Sequence, residues 1–205
     1  MRIRTGAAVA AALLAQTLSG GPPATAATAA APAAPPAVTH YVLDPARSTL
    51  EFSFSQAGAQ NQGRFRHFTT VLDFSAENLP ASHLEVTVDV TSVDTGDEER
   101  DDTLRDADLL DVRKFAQARF HATQILKTAN GYEAVGKLTI RDITRDLRFP
   151  FSLRTATEQG ANVGYLSGKT ALKRLDFSVG QGDWKATDQV GNDVGVSFAL
   201  RLAAQ

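Results

Sequence analysis

The sequence predicts an all-β fold: an eight-stranded antiparallel β-barrel with a short helical insertion, at about residues 97–115, capping one end. Three observations carry this. Apolar and polar residues alternate with period two in eight successive segments between residues 41 and 203. Sustained alternation is the pattern of a strand with one buried face. Most of these segments are joined by short turns, which favours antiparallel neighbours in chain order. Only one long stretch, Thr95 to Phe120, drops the alternation and carries acids first, then leucines, then cations.

The first strand spans Tyr41–Gln56, where Leu50, Phe52 and Phe54 alternate with polar residues and Asp44-Pro45 interrupts the start. Proline belongs at a strand entrance and not in its middle. Gly58 to Gly63 reads as a polar loop. Phe65–Ser75 is the second strand, with Phe68, Leu72 and Phe74 on one face, and Ser82–Val93 is the third, with Leu84, Val86, Val88 and Val90 inward. Ala118–Lys127 is the fourth. Asn130-Gly131 is a hairpin turn, since both residue types accept positive φ. The fifth strand, Tyr132–Arg141, turns Ala134, Gly136, Leu138 and Ile140 to one side. The sixth, Leu147–Thr155, carries Phe149 and Phe151, and Pro150 on its other face implies an edge or a bulge. Val163–Arg174 and Asn192–Ala203 complete the set, separated by an irregular segment, 177–189, that contains Trp184.

Within the insertion, Asp97, Glu98 and Glu99 precede Leu104, Leu109 and Leu110, and Arg113 and Lys114 follow. That order suits a helix dipole. A helix this short is marginal alone, so its leucines are expected to close one end of the barrel. A polar surface loop is the alternative. Every strand has one apolar face, and a closed eight-stranded barrel removes free edges while leaving an interior just filled or able to hold one small ligand. A two-sheet sandwich is the rival, but strands of about 9–13 residues suit a deep, tilted barrel better.

Residues 1–26 have the form of a signal peptide: the basic start MRIR, the apolar run Gly6–Leu18, and small-x-small cleavage sites at about 26–29. The apolar run is too short to span a bilayer. Residues 27–39 form an Ala/Pro-rich linker, and 40–205 the folded domain. A retained amphipathic anchor is the alternative. The chain has no cysteine, so disulfides, thiolate chemistry and a cysteine-borne lipid anchor are excluded. Arg2 and Arg4 are the only charges before residue 39, so the remainder carries 19 basic and 23 acidic groups. That balance argues against nucleic acid and anionic lipid surfaces as partners. The expected location is periplasmic or secreted, without stable membrane insertion, and a homodimer is left open.

The motifs of nucleophilic, phosphate-binding and zinc-protease chemistry are absent. His40, His67, His83 and His121 show no spacing that places two on one face as a metal pair, so no metal, cofactor or catalytic residue is expected. The positive signal is the apolar interior. The chain has 11 Phe but only 3 Tyr and 1 Trp. The expected cavity lining is Phe52, Phe54, Phe68, Leu72, Phe74, Val86, Val88 and Phe120, continued by Leu138, Phe149, Phe151, Leu172 and Phe198. Leu104 and Leu109 of the insertion close it, and Gly136, Ala134 and Thr70 leave room inside. Arg100, Asp101, Arg174 and Asp176 are candidates for a polar mouth that holds a head group; surface pairing and capping is the simpler reading of Arg100 and Asp101, and a buried pair is the alternative for Arg174 and Asp176. A simply packed core is the alternative to a cavity.

Six motifs in order carry a resemblance: Tyr41-Val-Leu-Asp44-Pro45 with Ser48; Gly63-x-Phe65-x-x-Phe68; Thr95-Gly96 with Arg100-Asp101-x-x-Leu104; Phe120 before Thr123; Leu138-Thr-Ile-Arg141-x-x-Thr144-Arg145; and Arg174-x-Asp176-Phe177. Residues 41 to about 203 thereby resemble the YceI-like family. The resemblance implies a lipocalin-like barrel, export from a bacterial cell and binding of polyisoprenoids or other long-chain amphiphiles, with no catalytic residues. Thr70, Asp142 and Ser178 stand where the family often has glycine. The expected function is a carrier that sequesters a polyisoprenoid, isoprenoid quinone or fatty-acid derivative. A stress or interaction protein with a packed barrel, and an enzyme acting on a prenyl lipid, are the alternatives.

Overall fold

The computed structural model describes residues 37–205. The expected signal peptide, and the linker up to residue 36, lie outside the described residues. No helix among the described residues is long and apolar enough to cross a membrane.

Eleven strand segments build one closed sheet: β1 (Thr39–Leu43), β2 (Thr49–Gln56), β3 (Ala59–Phe65), β4 (Phe68–Phe74), β5 (His83–Asp89), β6 (Val93–Asp94), β7 (Gln117–Thr128), β8 (Gly131–Ile140), β9 (Ile143–Glu158), β10 (Ala161–Lys173) and β11 (Val190–Ala204). The order β1-β4-β5-β7-β8-β9-β10-β11 closes back onto β1. This is the eight-stranded antiparallel barrel that the alternation predicts. The count of eleven arises because three long strands are broken. A 3-10 turn at Pro45–Arg47 separates β1 from β2, a kink at Arg66-His67 separates β3 from β4, and a 3-10 turn at Val90–Ser92 separates β5 from β6.

One loop expectation is corrected. Residues 59–63 are not a loop but the start of β3, paired with β2 from Gln56↔Ala59 to Glu51↔Arg64. Ala57 and Gly58 make a tight hairpin, both with positive φ, a geometry that matches the twist of the flanking strands. The sequence AQNQG has no apolar alternation because backbone pairing, not burial of one face, holds this segment. Pro150 behaves as expected of an edge. β9 pairs with β10 only from Phe151 onward, so Pro150, which lacks an N–H, stands just past the end of that ladder.

The two ends of the barrel differ. At one end, Tyr132 meets Phe74 edge to face at 4.9 Å and stacks on Phe151 at 5.6 Å between ring centroids, and Tyr41 and Leu72 pack beside them in the core. The other end is covered by the insertion and by 174–185. The insertion forms one helix, α1 (Glu98–Arg105), with Asp97 capping the N–H of Arg100. Residues 106–115 continue as turns, not as the second half of a helix: Leu110 N–H returns to the Leu104 carbonyl, and Asp111 has φ of 47°. The segment 174–185 consists of 3-10 turns at Arg174–Phe177 and Gly182–Lys185. The N–H groups of Gly180 and Gln181 donate to the Asp108 carbonyl at 2.9 and 2.7 Å. The two segments therefore form one cap.

Candidate functional site: an apolar interior under a two-part cap

Two adjoining spaces lie inside the barrel and below the cap. The inner one has a volume of about 160 Å³. Apart from Glu51, Arg119, Thr70 and Thr170, its lining is wholly apolar. Inward alternation supplies this wall: Phe68 from β4, Val86 and Val88 from β5, Phe120 from β7, Leu138 from β8, Phe149 from β9 and Phe198 from β11. Phe149 is the centre of its aromatic group, 5.0 Å from Phe120 and 5.6 Å from Phe198 between ring centroids. The outer space, about 440 Å³, lies between the barrel rim and the cap. Phe54, Leu104, Leu109, Phe177 and Trp184 contribute apolar surface, and Gln56, Asp97, Glu99, Arg100 and Thr103 form a polar margin. Phe52, Phe65, Leu110, Ile140, Leu172 and Val196 belong to both walls and make the neck between them.

Most of the predicted lining residues therefore face these spaces, but four do not. Leu72, Phe74 and Phe151 belong to the packed plug at the far end, where inward direction alone gives no access to the cavity. Gly136 leaves no room. A Cβ there would stand 2.2 Å from the His121 carbonyl and 2.8 Å from Ala122 Cα. The register of β7 and β8 shifts between Ala122 and Gln124, and the glycine lets β8 pass close against this bulge. Ala134 is likewise fully buried in the core. Thr70 does line the inner space, and its buried Oγ1 has no hydrogen-bond partner there.

The four candidate mouth residues divide in the same way. Arg100 lines the outer space, 3.8 Å from Asp97. Asp101 does not line it: its carboxylate is buried and accepts from Thr95 N and Oγ1 at 2.8 and 2.7 Å, fixing the approach to α1. Asp176 is exposed on the outside of its turn and lines neither space. Arg174 lines the outer space and is 6% exposed. Its guanidinium donates to the carbonyls of Gly191, Val179, Ala186 and Val190 at 2.8–3.2 Å. Burial pushes it below its ordinary pKa. It is a cation held by backbone dipoles alone, tying 179–190 around the outer wall.

The neck and the aromatic outer wall escape sequence reasoning in part. Leu110, Ile140 and Val196 carry inward alternation or sit in the insertion, yet nothing in their spacing marks them as a constriction. One polar group outside the cavity is also assembled only by the fold. Strand register places Glu85 of β5 opposite His121 of β7. His83 and His121 then meet on one face, although their sequence separation shows no metal-pair spacing.

The YceI-like domain pattern matches residues 41–202. A UPF0312 protein of Vibrio campbellii is 31% identical over 146 residues, spanning 68% of this chain and 77% of that protein. The crystal structure of Burkholderia cenocepacia BcnA superposes with a TM-score of 0.72 at 29% identity, over 78% of this chain and 98% of that one. A polyisoprenoid binding domain from Saccharophagus degradans, implicated in plant cell wall breakdown, superposes with a TM-score of 0.60 at 18% identity, over 80% of this chain and 98% of that one. At that identity the likeness is one of fold. With the barrel, its closing order and a pattern match over most of its length, this chain belongs to the YceI-like family.

Proposed function

We propose that the protein is an exported carrier, periplasmic or secreted, that sequesters a long-chain apolar amphiphile inside its barrel: a polyisoprenoid, an isoprenoid quinone or a fatty-acid derivative. The observation that carries this is the pair of adjoining spaces. An apolar inner chamber adjoins, across Leu110, Leu172 and Val196, a wider chamber with a polar margin. A tail would lie inward against Phe120, Phe149 and Phe198, and a head group would stand near Arg100 and Thr103. Each buried CH₂ contributes about 0.8 kcal/mol, so a long tail offsets the ordering costs of binding. Membership of the YceI-like family, and the likeness to a polyisoprenoid binding domain from Saccharophagus degradans, support the lipid class. In this reading the protein binds and does not turn its ligand over.

Native mass spectrometry of protein purified from cells tests the reading. A carrier retains a lipid adduct that organic extraction removes and identifies. Protein that carries no adduct and takes up no added prenyl or fatty lipid would be a packed barrel with another role.

A further inference from the structure

The outer surface of the barrel carries a second arrangement, on the opposite side of the wall from the cavity. Along β5, Leu84 and Val86 point inward and line the inner chamber, so His83 and Glu85 point outward. Phe120 of β7 also points inward, and its neighbour His121 faces out, directly across from Glu85. Glu85 Oε1 is 3.1 Å from His83 Nε2 and 3.1 Å from His121 Nδ1. The two imidazole rings are 4.7 Å apart between centroids, inclined at 62°. The three donor atoms lie within 4.8 Å of one another.

We propose that His83, Glu85 and His121 form a surface site for a divalent transition metal ion of the zinc type, with water completing the coordination. Two imidazole nitrogens and one carboxylate oxygen are a donor set that suits zinc, where calcium and magnesium require oxygen ligands. Bonds of 2.0–2.2 Å put neighbouring ligand atoms of a tetrahedral ion about 3.3 Å apart. Two of the three separations are already 3.1 Å, and rotation of one exposed imidazole closes the third.

The surroundings favour a cation. Asp73 of β4 lies opposite His83 and adds negative charge, while its carboxylate holds His40 Nδ1. Lys137 of β8 lies opposite His121, but its ammonium is 2.7 Å from Asp146. The bulge just after Ala122 fixes where His121 sits relative to β8, a device that aims side chains. His67 approaches only Asp89, at 3.9 Å, and serves as a control.

Titration of zinc into the purified full chain, followed by calorimetry at neutral pH, tests this. The expected result is one ion per chain with micromolar affinity. His83→Ala and His121→Ala should each weaken it at least about tenfold, since even groups one shell beyond the ligands are worth that much. His67→Ala should leave it unchanged. Cobalt in place of zinc should give the visible absorption of a low-coordinate site, lost in the same two variants. The residues are on the surface, so circular dichroism should report a folded barrel in each. Absence of saturable binding, or zinc affinity unaltered in the His83→Ala/His121→Ala double variant, would overturn the assignment and leave a hydrogen-bonded surface ladder.

Discussion

Asp111 and Arg141 lie 3.6 Å apart where the cap meets the barrel, both largely buried and both in the left-handed backbone region, with φ of 47° and 57°. Arg141 also donates to the carbonyls of Leu109 and Ser178 at 2.8 and 2.7 Å, and its guanidinium lies over the Phe115 ring. One side chain, from the β8–β9 turn, thus ties both halves of the cap to the barrel. Non-glycine residues enter this backbone region only where surrounding contacts hold them.

Removing that tie should loosen the cap before it unfolds the barrel. Arg141→Ala loses hydrogen bonds from a charged donor and leaves Asp111 with Lys114 alone, so we expect a cost of about 2–3 kcal/mol. Hydrogen exchange should accelerate at 106–115 and 174–181 and change little in β7 and β8. Bound lipid should slow the same amides in the native chain, because segments with few packed contacts open at low cost. Uniform acceleration throughout would mean that the cap is no separate unit.

The neck sets how far a tail can reach. Leu172→Trp adds apolar bulk where the two chambers meet. Overpacking should cost about 1–3 kcal/mol, and mass spectrometry of extracted lipid should show a shift to shorter chains. An unchanged chain-length distribution would confine the ligand to the outer chamber.

Gly136→Leu should behave differently, although it also adds apolar volume on an inward face. The new side chain meets backbone at His121 and Ala122. It should destabilise the fold by at least about 1–3 kcal/mol without altering the lipid carried by the folded fraction. Thermal denaturation and lipid mass profiles, measured on one preparation, separate this variant from the neck variant.

Acid stability should follow Asp94. Its carboxylate holds Arg66 Nε at 2.9 Å and Arg64 Nε at 2.7 Å, and Arg66, then Arg64, keeps it well below the usual carboxylate range. Tyr165, then Arg201, lowers Glu158 in the same direction. A depressed folded pKa means stability that is fully present above the unfolded value, near pH 4, and lost as pH falls through the folded one. Denaturant midpoints should be level from neutral pH to about pH 4 and drop below it. Asp94→Asn should be less stable at neutral pH, with a shallower acid limb. A limb of unchanged slope would remove Asp94 from the account.

Period-two alternation made most of the strands readable. Burying one face of a strand requires an apolar residue at every second position, and that requirement is local. β3 escaped because its Ala59–Gly63 stretch buries little and is held by hydrogen bonds to β2, which any side chain permits. The helix was legible from Asp97 and the first-turn acids. Its end at Arg105 was not, because it lies at Asp106, which turns extended and whose carbonyl accepts from the N–H groups of Leu109 and Asp111.

The cavity divides along the same line. Inward direction is local, so Phe120, Phe149 and Phe198 were identifiable as interior residues. Whether an interior position faces space or a neighbour depends on what stands across the barrel. Leu72, Phe74 and Phe151 meet a plug, Gly136 meets a bulge, and Leu172 packs against the core while lining both spaces at the neck. Asp101 and Asp176 were indistinguishable in sequence and differ in space, one satisfied by Thr95 and one turned to solvent. His83 and His121 are separated by the whole insertion and become neighbours only through the pairing of β5 with β7. Alternation, turns and composition specify which face of each strand avoids water. Register and closure bring distant residues together, and the neck, the cap tie and the His-Glu-His group exist only once the barrel has closed.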